Sequence, residues 1–129
     1  MKSPIRVLII EDSEDDKELI LLELKRGGYN PEYLHVQSRE AFDCALVEQD
    51  WDIILSDYSM PNFDGLSALT TVKEKEFDIP FILISGTIGE DVAVAAMKRG
   101  AQDYIMKNNL SRLIPAIDRE LKEAEIRRM

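Results

Sequence analysis

Cysteine, histidine and tryptophan occur once each in this chain, as Cys44, His35 and Trp51. A single cysteine excludes an intrachain disulfide and a cysteine-based zinc site. Long apolar runs are also missing. The longest, such as Val7-Leu8-Ile9-Ile10 and Phe81-Ile82-Leu83-Ile84, fall far short of the ~20 residues that span a bilayer. Basic residues number 16 against 25 acidic ones, a formal net charge of −9. Such a surface repels a phosphate backbone, which argues against direct nucleic-acid binding. Met1-Lys2-Ser3-Pro4 leads straight into the first apolar run. No signal peptide is therefore expected, and cytoplasmic residence is. Linkers, internal repeats and low-complexity tracts are absent as well, so residues 1–129 are expected to form one domain.

What remains is the composition of a folded chain. Its 129 residues are 45% hydrophobic and 32% charged, enough apolar material for one continuous core and too much for a disordered segment. Apolar runs of strand length alternate with segments of helical period. Strands are predicted over 5–10, 33–36, 53–57, 81–84 and 104–106. Ser13, with Asp16 three residues on, is a weak capping box opening the first helix, and Gly27-Gly28 closes it. Ser38 caps a second helix, in which Ala41, Phe42, Ala45 and Leu46 recur at helical spacing. Pro61 and Asp64-Gly65 mark a loop before a third helix running to about residue 76. Gly86 and Gly89 predict a mobile loop before a helix over 90–99. The last helix carries Leu113, Ile114, Ile117, Leu121 and Ala124 on one face. Pro115 suits only a first turn, so an irregular turn is expected over 110–113. The charged residues 120–129 are expected to project as a free helix end.

Five strands alternating with five helices imply a doubly wound α/β fold, with a mainly parallel sheet covered on both faces. Ligands of such sheets bind beyond the carboxyl ends of the strands. There the sequence places Glu11-Asp12 after the first strand, Asp57 at the end of the third, Ser85 after the fourth and Lys107 after the fifth. Any one of these is an ordinary polar residue at a loop start. Together they put three carboxylates, a hydroxyl and an amine on one rim. Clustered carboxylates repel unless a cation neutralises them, and Mg²⁺ takes such oxygens together with water and a phosphate oxygen. The set suits phosphoryl transfer, with Asp57 as nucleophile and Glu11 and Asp12 placed to hold metal.

These residues resemble the receiver domain of two-component response regulators. The resemblance rests on Val7-Leu8-Ile9-Ile10-Glu11-Asp12, Asp52-Ile53-Ile54-Leu55-Ser56-Asp57, Met60-Pro61-Asn62-Phe63-Asp64-Gly65, Ile84-Ser85-Gly86 and Gly100-Ala101-Gln102-Asp103-Tyr104-Ile105-Met106-Lys107, in order over about residues 5–122. It implies a flavodoxin-like sheet of order 2-1-3-4-5 with five helices. It further implies that Asp57 accepts a phosphoryl group from a sensor histidine kinase or a histidine phosphotransfer protein. Asp12, Asp57 and the Ser59 main-chain carbonyl would ligate Mg²⁺, with Glu11 acting through water. Lys107 would pair with the phosphoryl group. Ser85 would swing toward it and Tyr104 turn inward, changing the partners of the face built from the fourth helix, fifth strand and fifth helix. Such a protein is a switch that catalyses only its own phosphorylation and dephosphorylation, a monomer or a weak dimer on activation. Two positions depart from the family pattern: Asn108 stands where a proline usually follows the lysine, and Gly86 where alanine often follows the hydroxyl residue. The second predicts a looser loop.

Other residues read as structural. His35 falls in the least regular strand, away from the rim, and is assigned no catalytic role. Cys44 is expected to be partly buried, Met60, Met97 and Met106 to pack, and Trp51 to anchor the third strand. Ser59 and Thr87 flank the approach of water and are candidates for tuning phosphate lifetime. Three other functions fit the same topology. An aspartyl phosphohydrolase would need its nucleophile after the first strand and room for a cap domain. A flavin or nucleotide module would need glycines and hydroxyls there, where six of the eight residues from 11 to 18 are acidic. A phosphate-independent interaction module would need no site residues at all, yet all are present.

Overall fold

The computed structural model describes residues 3–58, 60, 63–86 and 90–129, with Glu90 described by its backbone alone. The order of elements is β1 (Ser3–Ile10), α1 (Glu14–Arg26), β2 (Tyr29–Val36), α2 (Arg39–Glu48), β3 (Ile53–Asp57), α3 (Gly65–Glu74), β4 (Phe81–Ser85), α4 (Glu90–Lys98), β5 (Asp103–Met106), a 3₁₀ turn (Lys107–Arg112) and α5 (Leu113–Arg127). The strands form one sheet of order β2-β1-β3-β4-β5, parallel throughout. The flavodoxin-like topology expected from the sequence is the one found.

Strand alternation sorts the core into two layers. Val7, Ile9, Ile53, Leu55, Ile82 and Ile84 point to one face, where Ile20, Leu24, Leu113 and Ile117 of α1 and α5 cover them. Leu8, Ile10, Ile54, Phe81 and Leu83 point to the other, under Phe42, Leu46, Leu69, Val72 and Ala96 of α2, α3 and α4. Every residue of β3 and β4 is buried, which is why positions 53–55 and 81–84 read as unbroken apolar runs. Each fully buried aliphatic side chain contributes about 1.5–3 kcal/mol by leaving water.

Polar side chains set where the helices begin. Ser13 Oγ accepts from Asp16 N–H at 3.2 Å, and Ser38 Oγ from Ala41 N–H at 3.2 Å. Asp64 caps α3 through Ser67 N–H at 2.7 Å, so Asp64-Gly65 begins the helix rather than the loop. Pro115 is the third residue of α5, in the first turn, after the irregular 3₁₀ segment.

Several expectations are corrected. β2 starts at Tyr29, four residues before the predicted 33, and holds Pro31 because it is an edge strand. Cys44 is exposed, since the buried stripe of α2 is Phe42, Ala45 and Leu46 and residue 44 lies off it. Met97 is exposed as well, whereas Met60 is in the core and Met106 is half-buried. Trp51 is buried, and its Nε1–H donates to the Ala45 carbonyl at 2.8 Å. The end of α5 is not free. Arg127 Nη2 donates to Asp78 Oδ1 at 2.9 Å, and Arg128 Nε to Asp78 Oδ2 at 3.3 Å.

Candidate functional site

Register brings the strand ends to one level. Ile10 pairs with Ser56, Asp57 with Ile84, and Ser85 with Met106. Glu11 thus leaves β1 beside Asp57, and Lys107 leaves β5 one step beyond Ser85. Asp57 and Ser85, the last residues of β3 and β4, are 5% and 2% exposed, so both are buried at this rim.

Close packing keeps Asp57 in place. Gly65, at the start of α3, donates its N–H to the Tyr58 carbonyl at 3.2 Å. A Cβ at Gly65 would lie 2.7 Å from the Asp57 carbonyl oxygen and 2.6 Å from Leu83 Cδ1, a space no side chain fits. Gly65 is therefore required by the close approach of α3 to β3.

The carboxylates of Glu11, Asp12 and Asp57 each place an oxygen within 4.8 Å of the others. Glu11 is fully buried, Asp12 exposed. Ser13 N–H donates to Glu11 Oε1 at 3.1 Å. Lys107 Nζ sits 3.0 Å from Glu11 Oε2, 3.4 Å from Asp57 Oδ2 and 2.6 Å from Asp16 Oδ2. The contact with Glu11 is ionic and poorly aligned, leaving buried Oε2 without a hydrogen bond. Burial raises the Glu11 carboxyl to about 7, Lys107 opposing and Asp57 adding to the rise. Burial alone would lower the Lys107 pKa, but Asp16, Glu11 and Asp57 outweigh it and raise it above its ordinary value. One ammonium contacts three carboxylates, and a fourth, Asp12, lies beside two of them. Hard oxygens, excess negative charge and an unsatisfied buried oxygen all fit a divalent cation such as Mg²⁺.

The sequence placed Glu11, Asp12, Asp57 and Lys107 together, and the structure brings them together. It missed Asp16, the shortest contact of Lys107. The available signal was its position in the first turn of a helix that starts at the rim. His35 is also nearer the site than expected. Its Nε2 contacts the Glu11 carbonyl oxygen, and its Nδ1 lies 3.7 Å from Glu14 Oε2, because Ile9 and His35 are partners across β1 and β2. The departure at Asn108 does not displace the lysine, which opens the 3₁₀ turn and still reaches the carboxylates. Ser59 and Thr87 lie outside the described residues, as does Gly89. Tyr104 is half-buried and packs against the α2–α4 side of the core. It borders a groove of about 430 Å³ with Ala93, Val94, Met97 and Lys98.

The sheet order β2-β1-β3-β4-β5, with the acids and the lysine at its carboxyl rim, is that of a flavodoxin-like α/β domain. The family model for the response regulator receiver domain matches residues 7–118, and the chain belongs to that family. It is 33% identical over 103 residues to the cell cycle transcriptional regulator CtrA of Caulobacter vibrioides, covering 80% of this chain and 44% of that protein. It is 28% identical to a chemotaxis protein CheY homolog of Campylobacter jejuni, covering 80% of this chain and 81% of that one. The crystal structure of NtrX from Brucella abortus superposes with a TM-score of 0.83 at 26% identity, covering 99% of this chain and 28% of NtrX. The chain thus spans less than half the length of some relatives and most of others. Receiver domains are signalling switches of two-component phosphorelays, and this chain is one of them. Among the described residues, no helix is long and apolar enough to cross a membrane.

Proposed function

We propose that residues 1–129 act as a single phosphoacceptor domain in which Asp57 takes a phosphoryl group from a phosphohistidine. The donor is a sensor histidine kinase or a histidine phosphotransfer protein, and the setting is the cytoplasm. The observation that carries this reading is the meeting of Glu11, Asp12 and Asp57 oxygens within 4.8 Å, with Lys107 beside them.

An Asp57 carboxylate oxygen attacks phosphorus as the donor's P–N bond breaks. The leaving imidazole keeps the electron pair and takes a proton from solvent, and Asp57 becomes an acyl phosphate. Lys107, held charged by its carboxylates, pairs with the phosphoryl oxygens. The Ser85 hydroxyl donates to one of them. Asp12 and Asp57, with the Ser59 carbonyl, would hold Mg²⁺, and Glu11 would act through water. When bound, Mg²⁺ supplies the positive charge that lets a phosphoryl dianion enter an acidic site. Ser85 leads into the segment before α4, so its movement toward the phosphoryl group is coupled to Tyr104 and the groove along α4 and β5. That face, continued by α5, is the surface offered to a downstream protein. Outside its own phosphorylation and dephosphorylation, the domain catalyses nothing, and activation favours at most a weak dimer.

The test is intact mass after incubation with acetyl phosphate, with and without Mg²⁺, for wild type and Asp57→Ala. One phosphoryl group gained only by wild type and only with Mg²⁺ is the expected result. No gain under any condition would leave a phosphate-independent interaction module.

A further inference from the structure

Lys107 sits much closer to Asp16 than to the acceptor. Its Nζ is 2.6 Å from Asp16 Oδ2, 3.0 Å from Glu11 Oε2 and 3.4 Å from Asp57 Oδ2. The Asp16 distance is that of a short charge-assisted hydrogen bond, and the Asp57 distance is at the loose limit for any hydrogen bond. Asp16 is also well fixed. It lies in the first turn of α1, where its N–H is tied to the Ser13 cap at 3.2 Å. Its side chain is 32% exposed, so neither desolvation nor packing requires an anion there. We infer that Asp16 is a resting-state decoy that holds Lys107 away from Asp57, and that phosphorylation pulls the lysine off it. The inference rests on Asp57 being the acceptor and adds a residue that regulates that site.

The physical reason is competition for one ammonium. A phosphoryl group on Asp57 brings nearly two negative charges and three acceptor oxygens. Meeting them at hydrogen-bond distance moves Nζ toward Asp57, and the Asp16 bond lengthens or breaks. Asp16 therefore raises the barrier to phosphorylation by stabilising the ground state of Lys107. Its carboxylate, once released, is free at the start of α1. Asp16 is a positioning residue: it acts through Lys107 and touches no reacting atom.

A double-mutant cycle separates this from general electrostatics. Phosphorylation rates with acetyl phosphate and saturating Mg²⁺ are followed by intact mass in wild type, Asp16→Asn, Lys107→Ala and the double variant. Asp16→Glu serves as the conservative control and Asp57→Ala as the blank. Asp16→Asn is expected to be phosphorylated roughly three- to tenfold faster than wild type, tenfold being the rate equivalent of about 1.4 kcal/mol. Asp16→Glu should return most of the way to the wild-type rate. In the Lys107→Ala background, Asp16→Asn should change nothing. An unchanged or slower Asp16→Asn overturns the inference, and so does equal acceleration with and without Lys107. If the Lys107→Ala rate is too slow to measure, the side-chain ε-methylene resonance of Lys107 decides. Asp16→Asn must shift it in the unphosphorylated protein, and an unmoved resonance overturns the decoy. Failure of wild type to take any phosphoryl group removes the acceptor reading itself, and this inference with it.

Discussion

At the scale of single residues, Glu11 stores a conflict that pH exposes. Burial raises its carboxyl from 4.5 to about 7, against the opposing pull of Lys107. Between those values the folded chain holds a proton that the unfolded chain has released. Stability from this group is therefore complete below 4.5 and is lost as pH rises through about 7. Glu11→Gln keeps the shape without the ionisation. In chelator-treated protein, denaturation midpoints at pH 5 and pH 7.5 should show Glu11→Gln gaining on wild type as pH rises. A gap of constant size across that window would mean that Glu11 ionises as an ordinary carboxylate. Asp16 escaped the sequence reading for a related reason. Six acidic residues between 11 and 18 look like a solvated face, and a first-turn position, which Asp16 shares with Glu14 and Asp15, does not single out the one that Lys107 reaches. The position of His35 was hidden too, because strand register is a property of two segments and cannot be read from one.

At the scale of elements, the end of α5 is held by charge rather than by burial. Arg127 and Arg128 both engage Asp78, in the turn before β4, and all three side chains are about half exposed. Water screens such pairs, so the clamp is worth about 0–1 kcal/mol and orients the helix end more than it stabilises the fold. Asp78→Ala should leave the denaturation midpoint nearly unchanged while amide exchange quickens over residues 124–128. Unchanged exchange there would show that Ala124, buried under the helix, anchors it unaided. The expected free end missed this contact because Asp78 and Arg127 are 49 positions apart and neither lies in a patterned segment. Strands β1, β3 and β4 were legible because burial on both faces demands unbroken apolar runs. The start of β2 was not. Tyr29-Asn30-Pro31-Glu32 sits on an edge where side chains stay largely exposed and proline costs no ladder bond. The helix starts at Ser13 and Ser38 were legible because a cap is a local bond between residues three apart.

At the scale of the whole molecule, the site and the core oppose each other. Two apolar layers hold the sheet together, and the sheet in turn holds Glu11, Asp12 and Asp57 closer than their charges favour. Part of the energy of the core is thus stored as repulsion at one rim. Two effects of Asp57→Ala follow, and their opposite signs make a sharp test. Without divalent ions, the variant loses a repelling charge and should unfold at a higher denaturant concentration than wild type. With Mg²⁺, wild type should gain stability by binding, about 2.7 kcal/mol at a concentration one hundred times its dissociation constant. The variant, lacking a ligand, should gain far less, so the order of the two proteins narrows or reverses. Trp51 is suited to report it. It is buried against Ala45 just before β3, at the end of the strand opposite Asp57, so its emission follows global unfolding without being altered by the ion. If wild type and Asp57→Ala respond equally to Mg²⁺, the ion is not bound through Asp57. If the variant is the less stable without metal, the rim carboxylates are satisfied by Lys107 alone, and the sheet stores no repulsion there.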